Sequence, residues 1–471
     1  LPAAALLVVS SSLPAQTGTG TRGIAVPELT ASERAALETI EEHEVAATVG
    51  FLASDEMAGR NTPSPELNIA SAYVAARFRG AGLEGLGPDG SFYLTRELRQ
   101  YAVPLGQATM YSGDQSVPLL GALFAPASAS DMTARTTTSS EAGEANAAIV
   151  IVDDLPLPPQ AADNPGMLLA AWSRRLQPLV KSGAAGVMIR AAEDSVLPAA
   201  LETLQSKPVT LPLSMVLDVP VVVLPAGSPV PAEVTLKTPA RRDVLTPVHN
   251  VVGIVRGRDP ELSKQCLLIS AHLDHIGIAS RSGSGDTINN GADDNATGVT
   301  GVLMLADAFA ALDPAPQRSV MFVTFWGEEK GLLGSQEFAA NSPWPLSDIV
   351  ANLNLEMLGR PESGAENKGW CTGWTHSDFG ELLAAGAQRA NVTIFRHDRF
   401  DEMLYSRSDN FSFVQKGVIA HSVSAGSLHD DYHQPGDEVS KLNLPHMTAV
   451  IRGLFAGSLP IAEGQWTPVR R

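Results

Sequence analysis

Residues 266–277 read CLLISAHLDHIG: a short apolar run of strand character that breaks, at its end, into His272, Asp274 and His275. The same grammar recurs downstream. SVMFVTFW (319–326) runs into GEEKG, which supplies Glu328 and Glu329. IVANLNL (349–355) ends at Glu356, and GVIAHSVS (417–424) leads into LHDDYHQPGDE (428–438) with His429, Asp430, Asp431 and His433. Helical patterns at 298–312, 331–341, 378–391 and 441–457 separate these runs. Strand alternating with helix predicts a three-layer α/β/α domain, its central sheet mostly parallel and covered on both faces. Ligands in such sheets bind beyond the carboxyl ends of the strands. The histidines and acids stand at those ends.

A second stretch, GADDNATG (291–298), puts Asp293 and Asp294 side by side before an apolar helical run. Acids are favourable at a helix N-terminus, where free N–H groups attract negative charge. A cap needs only one acid, however, and does not need Gly291, Ala292 and Ala296 around it. The small residues leave room for one carboxylate to approach a ligand closely, with the other as cap or support; Asp294 is read as the supporting one.

Each piece alone has an ordinary explanation: a hydrogen-bonded histidine, a helix cap, a solvated turn. Five such pieces converging on one end of a sheet point instead to a metal centre. Imidazoles and carboxylates without thiolates suit Zn²⁺, with Co²⁺ or Mn²⁺ as substitutes, whereas Mg²⁺ and Ca²⁺ prefer all-oxygen cages. Five protein ligands are too many for one catalytic zinc. Two ions at ~3.5–4 Å that share one carboxylate use five.

The chain of 471 residues, 44% hydrophobic and 18% charged, is long enough for several domains. A net charge of −18 argues against a nucleic-acid partner. Residues 1–15, within LPAAALLVVSSSLPAQ, read as the remnant of a secretory signal, too short to span a bilayer, so an exported protein without a membrane span is expected. Residues 30–104 carry helical patterns. Residues 105–245 turn to Pro, Ala, Ser and Val, with strand-like AAIVIVDD, AGVMIR and VPVVVLP around one helix, and read as an inserted β-rich domain. Residues 246–465 carry the chemistry. The two cysteines, Cys266 and Cys371, cannot form a disulfide framework or a thiolate zinc site; a single bridge between them is the most they allow.

Residues 246–440 resemble the di-zinc aminopeptidases of metallopeptidase family twenty-eight, which also includes glutamate carboxypeptidases and glutaminyl cyclases. The resemblance is carried by AHLDHIG, NNGADDNATGV, FWGEEKGLLGSQEF, NLEMLGR and YHQPGDE, in the family's order and spacing. LASDEMAGR (52–60) resembles the family's N-terminal helical segment, and 105–245 resembles a protease-associated insert. The resemblance implies two zinc ions: Asp293 bridging, His272 and Glu356 on one ion, Glu329 and His433 on the other. It makes Glu328 the general base, Asp274 the outer acid that fixes the His272 ring, and Tyr432 a group polarising the developing oxyanion. Spacing alone does not separate Glu328 from Glu329. Glu356 departs from the pattern, because many members carry Asp there.

The implied activity is removal of N-terminal residues from peptides by a bridging hydroxide, with oligomeric state open. The runner-up is a glutamate-type carboxypeptidase, which would need a basic cluster such as Arg396, Arg399 and Arg407 to grip a terminal carboxylate. Glutaminyl cyclisation, typically with one zinc, and a non-catalytic binding protein on the same scaffold follow. SRSDNFSF (406–413) resembles a family segment near the substrate and receives no role.

Overall fold

The computed structural model describes residues 26–102, 108–138, 147–157, 165–206, 209–210, 215–279 and 285–471. The stretch read as a signal remnant, residues 1–15, lies outside them.

Eight strands build most of the main sheet: β1 (Tyr93–Ala102), β2 (Arg242–Val255), β3 (Cys266–His272), β4 (Ser319–Phe325), β5 (Ile349–Leu355), β6 (Lys368–Cys371), β7 (Thr393–Phe395) and β8 (Ala420–Ser424). Their order across the sheet is β7-β6-β8-β5-β3-β4-β2-β1, with Val209–Thr210 beyond β1 and Glu84–Gly85 against β2. The centre is parallel, β4 and β5 flanking β3 and β8 following β5. Every residue of β3 and of β4 is buried, as expected of strands covered on both faces.

Parallel pairing holds at this centre and between β6 and β7, but the whole sheet is mixed, with β6 antiparallel to β8. β2 runs antiparallel to both β4 and β1. The reason is the insert. β1 leads into it and β2 leads out, paired from Ala102↔Arg242 to Tyr93↔Val251. A chain that leaves and re-enters a sheet at one place must do so on neighbouring antiparallel strands.

Helices α1 (Ala31–Glu38), α2 (Glu42–Leu52), α3 (Pro65–Gly80), α4 (Gly298–Ala310), α5 (Leu333–Ala340), α6 (Phe379–Ala387) and α7 (Leu444–Ala462) cover the sheet. Local chemistry sets the helix starts. Thr30 and Glu33 form a reciprocal capping box on α1, and Ser64 caps α3 ahead of Pro65. One core joins α1–α4, α6 and α7 to Leu267, Ile269 and Ala271 of β3. The opposite core holds Cys266 and Leu268 of β3, Phe338 of α5 and Phe413. Alternate residues of one strand thus feed two apolar layers. Cys266 and Cys371 are both free and buried, so no bridge joins them.

The insert forms its own eight-stranded sheet, in which Ile149–Asp153, Gly186–Arg190 and Val221–Leu224 pair in parallel. The insert holds two helices among the described residues, Pro165–Lys181 and Leu197–Ser206, where the sequence pattern showed one. Among the described residues, no helix is long and apolar enough to cross a membrane.

Candidate metal centre

The side chains gather at the carboxyl end of the parallel strands. His272 is the last residue of β3, Glu356 follows β5 directly, and Glu328 and Glu329 stand in the turn after β4. Two donor groups form there: His272, Asp294 and Glu356 in one; His275, Asp294, Glu329 and His433 in the other. Asp294 belongs to both. Its Oδ1 lies 3.3 Å from His272 Nε2 and its Oδ2 3.1 Å from His433 Nε2. Glu356 Oε1 is 3.0 Å from His272 Nε2, and Glu329 Oε2 is 3.2 Å from His433 Nε2.

This corrects the expectation for Asp293. Its carboxylate points away from both groups. Oδ1 accepts the Gly359 N–H at 2.7 Å and the Thr297 hydroxyl at 3.3 Å, and Oδ2 faces His429 at 3.5 Å. The shared carboxylate is that of Asp294, and Asp293 ties the turn to the loop after β5. The small residues serve a related purpose. Gly291 has φ +58, and a Cβ there would lie 2.4 Å from the Asp294 carbonyl oxygen and 2.5 Å from His275 Cγ.

Asp274 is also placed differently from expectation. The His272 ring is oriented by the Asp274 main chain, its Nδ1–H donating to the Asp274 carbonyl at 3.0 Å. The Asp274 carboxylate lies 3.9 Å from that nitrogen. It accepts instead the Thr62 hydroxyl at 2.8 Å and the Glu328 N–H at 3.0 Å, and so fixes the turn that bears both glutamates.

Several supports were not read from sequence. Arg60, fully buried, donates to the carbonyls of Leu273 (3.0 Å), Asn290 (2.8 Å), Gly291 (3.0 Å) and Leu52, clamping the end of β3 to the aspartate turn. Burial lowers its pKa to about 10, against the pull of the acids around it. Asp437 accepts the N–H groups of Asp293 and Asp294. Ser408, from the unassigned SRSDNFSF stretch, donates to Glu356 Oε2 at 2.7 Å. That contact receives the second oxygen of the longer side chain standing where an Asp was usual. The only sequence sign of Arg60 was the resemblance of LASDEMAGR to the family segment. Asp431, counted with the converging acids, instead pairs with Arg360 and Lys441, each at 2.8 Å.

The electrostatics are those of a cation site. Burial raises the Asp294 carboxyl, but the imidazoles of His272 and His433 outweigh it and hold the group well below the usual range. Glu329 is pushed up by burial and by Asp294, yet His275 and His433 bring it down to about 2. Glu328 is raised well above the usual value, chiefly by burial. It stands outside both donor groups and lines a pocket with Asp294, Glu356, Trp370, Leu404 and Tyr432. The Tyr432 ring stacks on His433 at 4.0 Å, and burial raises its phenol.

Whether the residues fit a metal is testable on their unused atoms. Asp294 Oδ2, Glu329 Oε1, His433 Nε2 and His275 Nδ1 are all buried without a hydrogen-bond partner. Stranded donor atoms of this kind are costly unless something else binds them. Four of them converge on one point, and two imidazoles with two carboxylates form a donor set for zinc.

Residues 250–456 match the model of Peptidase family M28. That segment belongs to peptidase family M28. The match bears out the expected class of enzyme, a metallopeptidase. The uncharacterized protein YfbL of Escherichia coli (strain K12) is 27% identical over 236 residues, which cover 44% of this chain and 70% of that protein. Two further relatives are longer proteins, and the chain spans 17% of the length of each. An aminopeptidase from Aneurinibacillus sp. strain AM-1 superposes with a TM-score of 0.53 at 19% identity, over 91% of this chain and 96% of that one. BSAP, a zinc aminopeptidase from Bacillus subtilis, does so at 0.51 and 16%, over 90% and 95%. At these identities the likeness is one of fold, and it extends well beyond residues 250–456.

Proposed function

We propose that this M28 peptidase is a zinc-dependent aminopeptidase that removes N-terminal residues from peptides. The observation that carries the reading is Asp294, one carboxylate shared between two donor groups. Two zinc ions would be held there, one by His272, Asp294 and Glu356, the other by Asp294, Glu329 and His433. Bound, they would supply Lewis acidity and an activated water at neutral pH. The fold shared with proteins named as aminopeptidases supports the substrate class.

The protein's own groups do the rest. Glu328, buried and facing the pocket, takes a proton from the attacking water and returns it to the leaving amine. Its raised pKa makes it the better proton carrier of the two adjacent glutamates, while Glu329 stays ionised among the imidazoles. Tyr432 lines the same pocket, which supports its reading as a donor to an oxyanion. Met357, Trp370 and Leu404 give the pocket an apolar wall suited to an uncharged side chain.

Glu328→Gln is the direct test. It should retain bound metal and lose about 10²-fold or more in kcat. Retained metal with full activity would remove Glu328 from the mechanism.

A second reading, cleavage next to a terminal carboxylate, draws on one observation. Arg407 lines the pocket and makes no ion pair among the described residues. Arg396 is engaged with Asp401, and Arg399 lies over the Phe400 ring. One arginine is a thin grip on a carboxylate. Comparing free-amine with amine-blocked peptides separates the two readings, since only the second tolerates the block.

A further inference from the structure

His275 has no part in the function proposed above, yet it stands inside the second donor group. Its ring is completely buried. Nδ1 lies 2.8 Å from Glu329 Oε1 and 3.7 Å from Asp294 Oδ2, and neither ring nitrogen makes a hydrogen bond. A ring nitrogen so close to a carboxylate oxygen needs something between them. At that separation Nδ1 still meets no hydrogen-bond geometry, whereas a cation lying between nitrogen and oxygen would engage both.

The ring is also held in place. The His275 N–H donates to the Arg60 carbonyl at 3.3 Å, and His275 bridges to Asn61. On the far side the imidazole packs against Gly291, where a Cβ would come within 2.5 Å of Cγ. The His433 ring meets it edge-on, centroids 5.5 Å apart at 72°. Two imidazoles thus approach one point from roughly perpendicular planes, and the ligand atoms of His275, Asp294, Glu329 and His433 all lie within 4.8 Å of one another.

We infer that His275 is a sixth metal donor, which makes the two metal positions unequal. This rests on the two-zinc reading proposed above. The position served by His275, His433, Glu329 and Asp294 has four protein donors, a full tetrahedral complement for zinc. The other, served by His272, Glu356 and Asp294, has three and keeps a place open for water or substrate. The first ion is therefore resident and tightly held. The second is weaker, exchangeable and the one that meets the substrate.

The probe is Zn²⁺ itself, added to the metal-free protein in one and two equivalents. X-ray absorption at the zinc edge counts imidazoles, and competition with a chelating dye gives the two affinities. The expected result is two imidazoles on the first zinc, three shared over two, and a first affinity well above the second. In His275→Gln the first zinc should keep one imidazole and bind at least ~10-fold more weakly, with the second affinity little changed. One imidazole per zinc in the wild type overturns the inference and leaves the two-zinc reading standing. No zinc bound by the wild type at either equivalent overturns both. The absorption experiment on the unmutated protein decides the matter even if His275→Gln fails to fold.

Discussion

Asp437 grips the turn that carries Asp294: its Oδ2 accepts the Asp294 N–H at 3.0 Å, and its Oδ1 accepts that of Asp293 at 3.0 Å. The Asp437 carbonyl also accepts the Ala292 N–H at 3.1 Å. One residue therefore fixes three successive amides just ahead of the shared carboxylate. Asp437→Ala strands two buried N–H groups, each costing about 1–3 kcal/mol. The variant should melt earlier than the wild type and bind zinc roughly 10–100-fold more weakly. Thermal melting and a zinc titration check both, and unchanged zinc affinity would show that the turn holds its shape unaided.

The two neighbouring aspartates should part company on mutation. Asp294→Asn removes the carboxylate common to both donor groups, so both zinc equivalents should be lost. Asp293→Asn keeps an oxygen for the Gly359 N–H and lies off both groups, so it should still bind two equivalents with a small loss of stability. Metal analysis after dialysis reports the count. The reverse pattern would restore Asp293 as the shared ligand.

Arg60 is a buried charge that supports the centre. It feeds four carbonyls from three segments that must stay in register, the end of α2, the residue after β3 and the turn before Asp293. Arg60→Met leaves those acceptors dry and should destabilise the fold by about 3 kcal/mol or more. Arg60→Lys keeps the charge but loses the fork, and should recover only part of that. Denaturant unfolding of the metal-free proteins measures both. A lysine variant as stable as the wild type would mean that charge alone matters here.

The sequence was most legible where one strand fed one ligand. β3, β4 and β5 are largely apolar because they are buried on both faces, and the change to His or Glu marks where each ends; β8 is buried too but carries His421, Ser422 and Ser424. Asp293 and Asp294 were not separable on that basis. Which of two adjacent side chains faces the centre depends on how the turn is held by Asp437, far along the chain, and by the Gly359 amide. β1 and Ser130–Thr138 escaped notice because they are polar and half-exposed, so no apolar run announces them. Arg60 gives no periodic signal at all, since its role lies in its contacts with distant main chain.

The pH dependence of metal binding follows from the charges at the centre. Burial pushes the His433 imidazole down, but Asp294 and Glu329 beside it prevail and raise it from 6.5 to about 10. His272 is likewise raised well above its ordinary value, burial opposing and Glu356 and Glu328 prevailing. In the metal-free protein a raised imidazole adds stability that is fully present below pH 6.5 and is lost as pH climbs through about 10. Zinc requires the same nitrogens unprotonated, so in that window each ion bound must displace protons. The metal-free protein should therefore lose stability from pH 6.5 to 9 while the zinc-induced rise in Tm grows. Titration calorimetry in buffers of different ionisation enthalpy should register net proton release near neutrality. A zinc-induced shift that stays flat or shrinks across this range would mean that the imidazoles are already neutral in the empty centre.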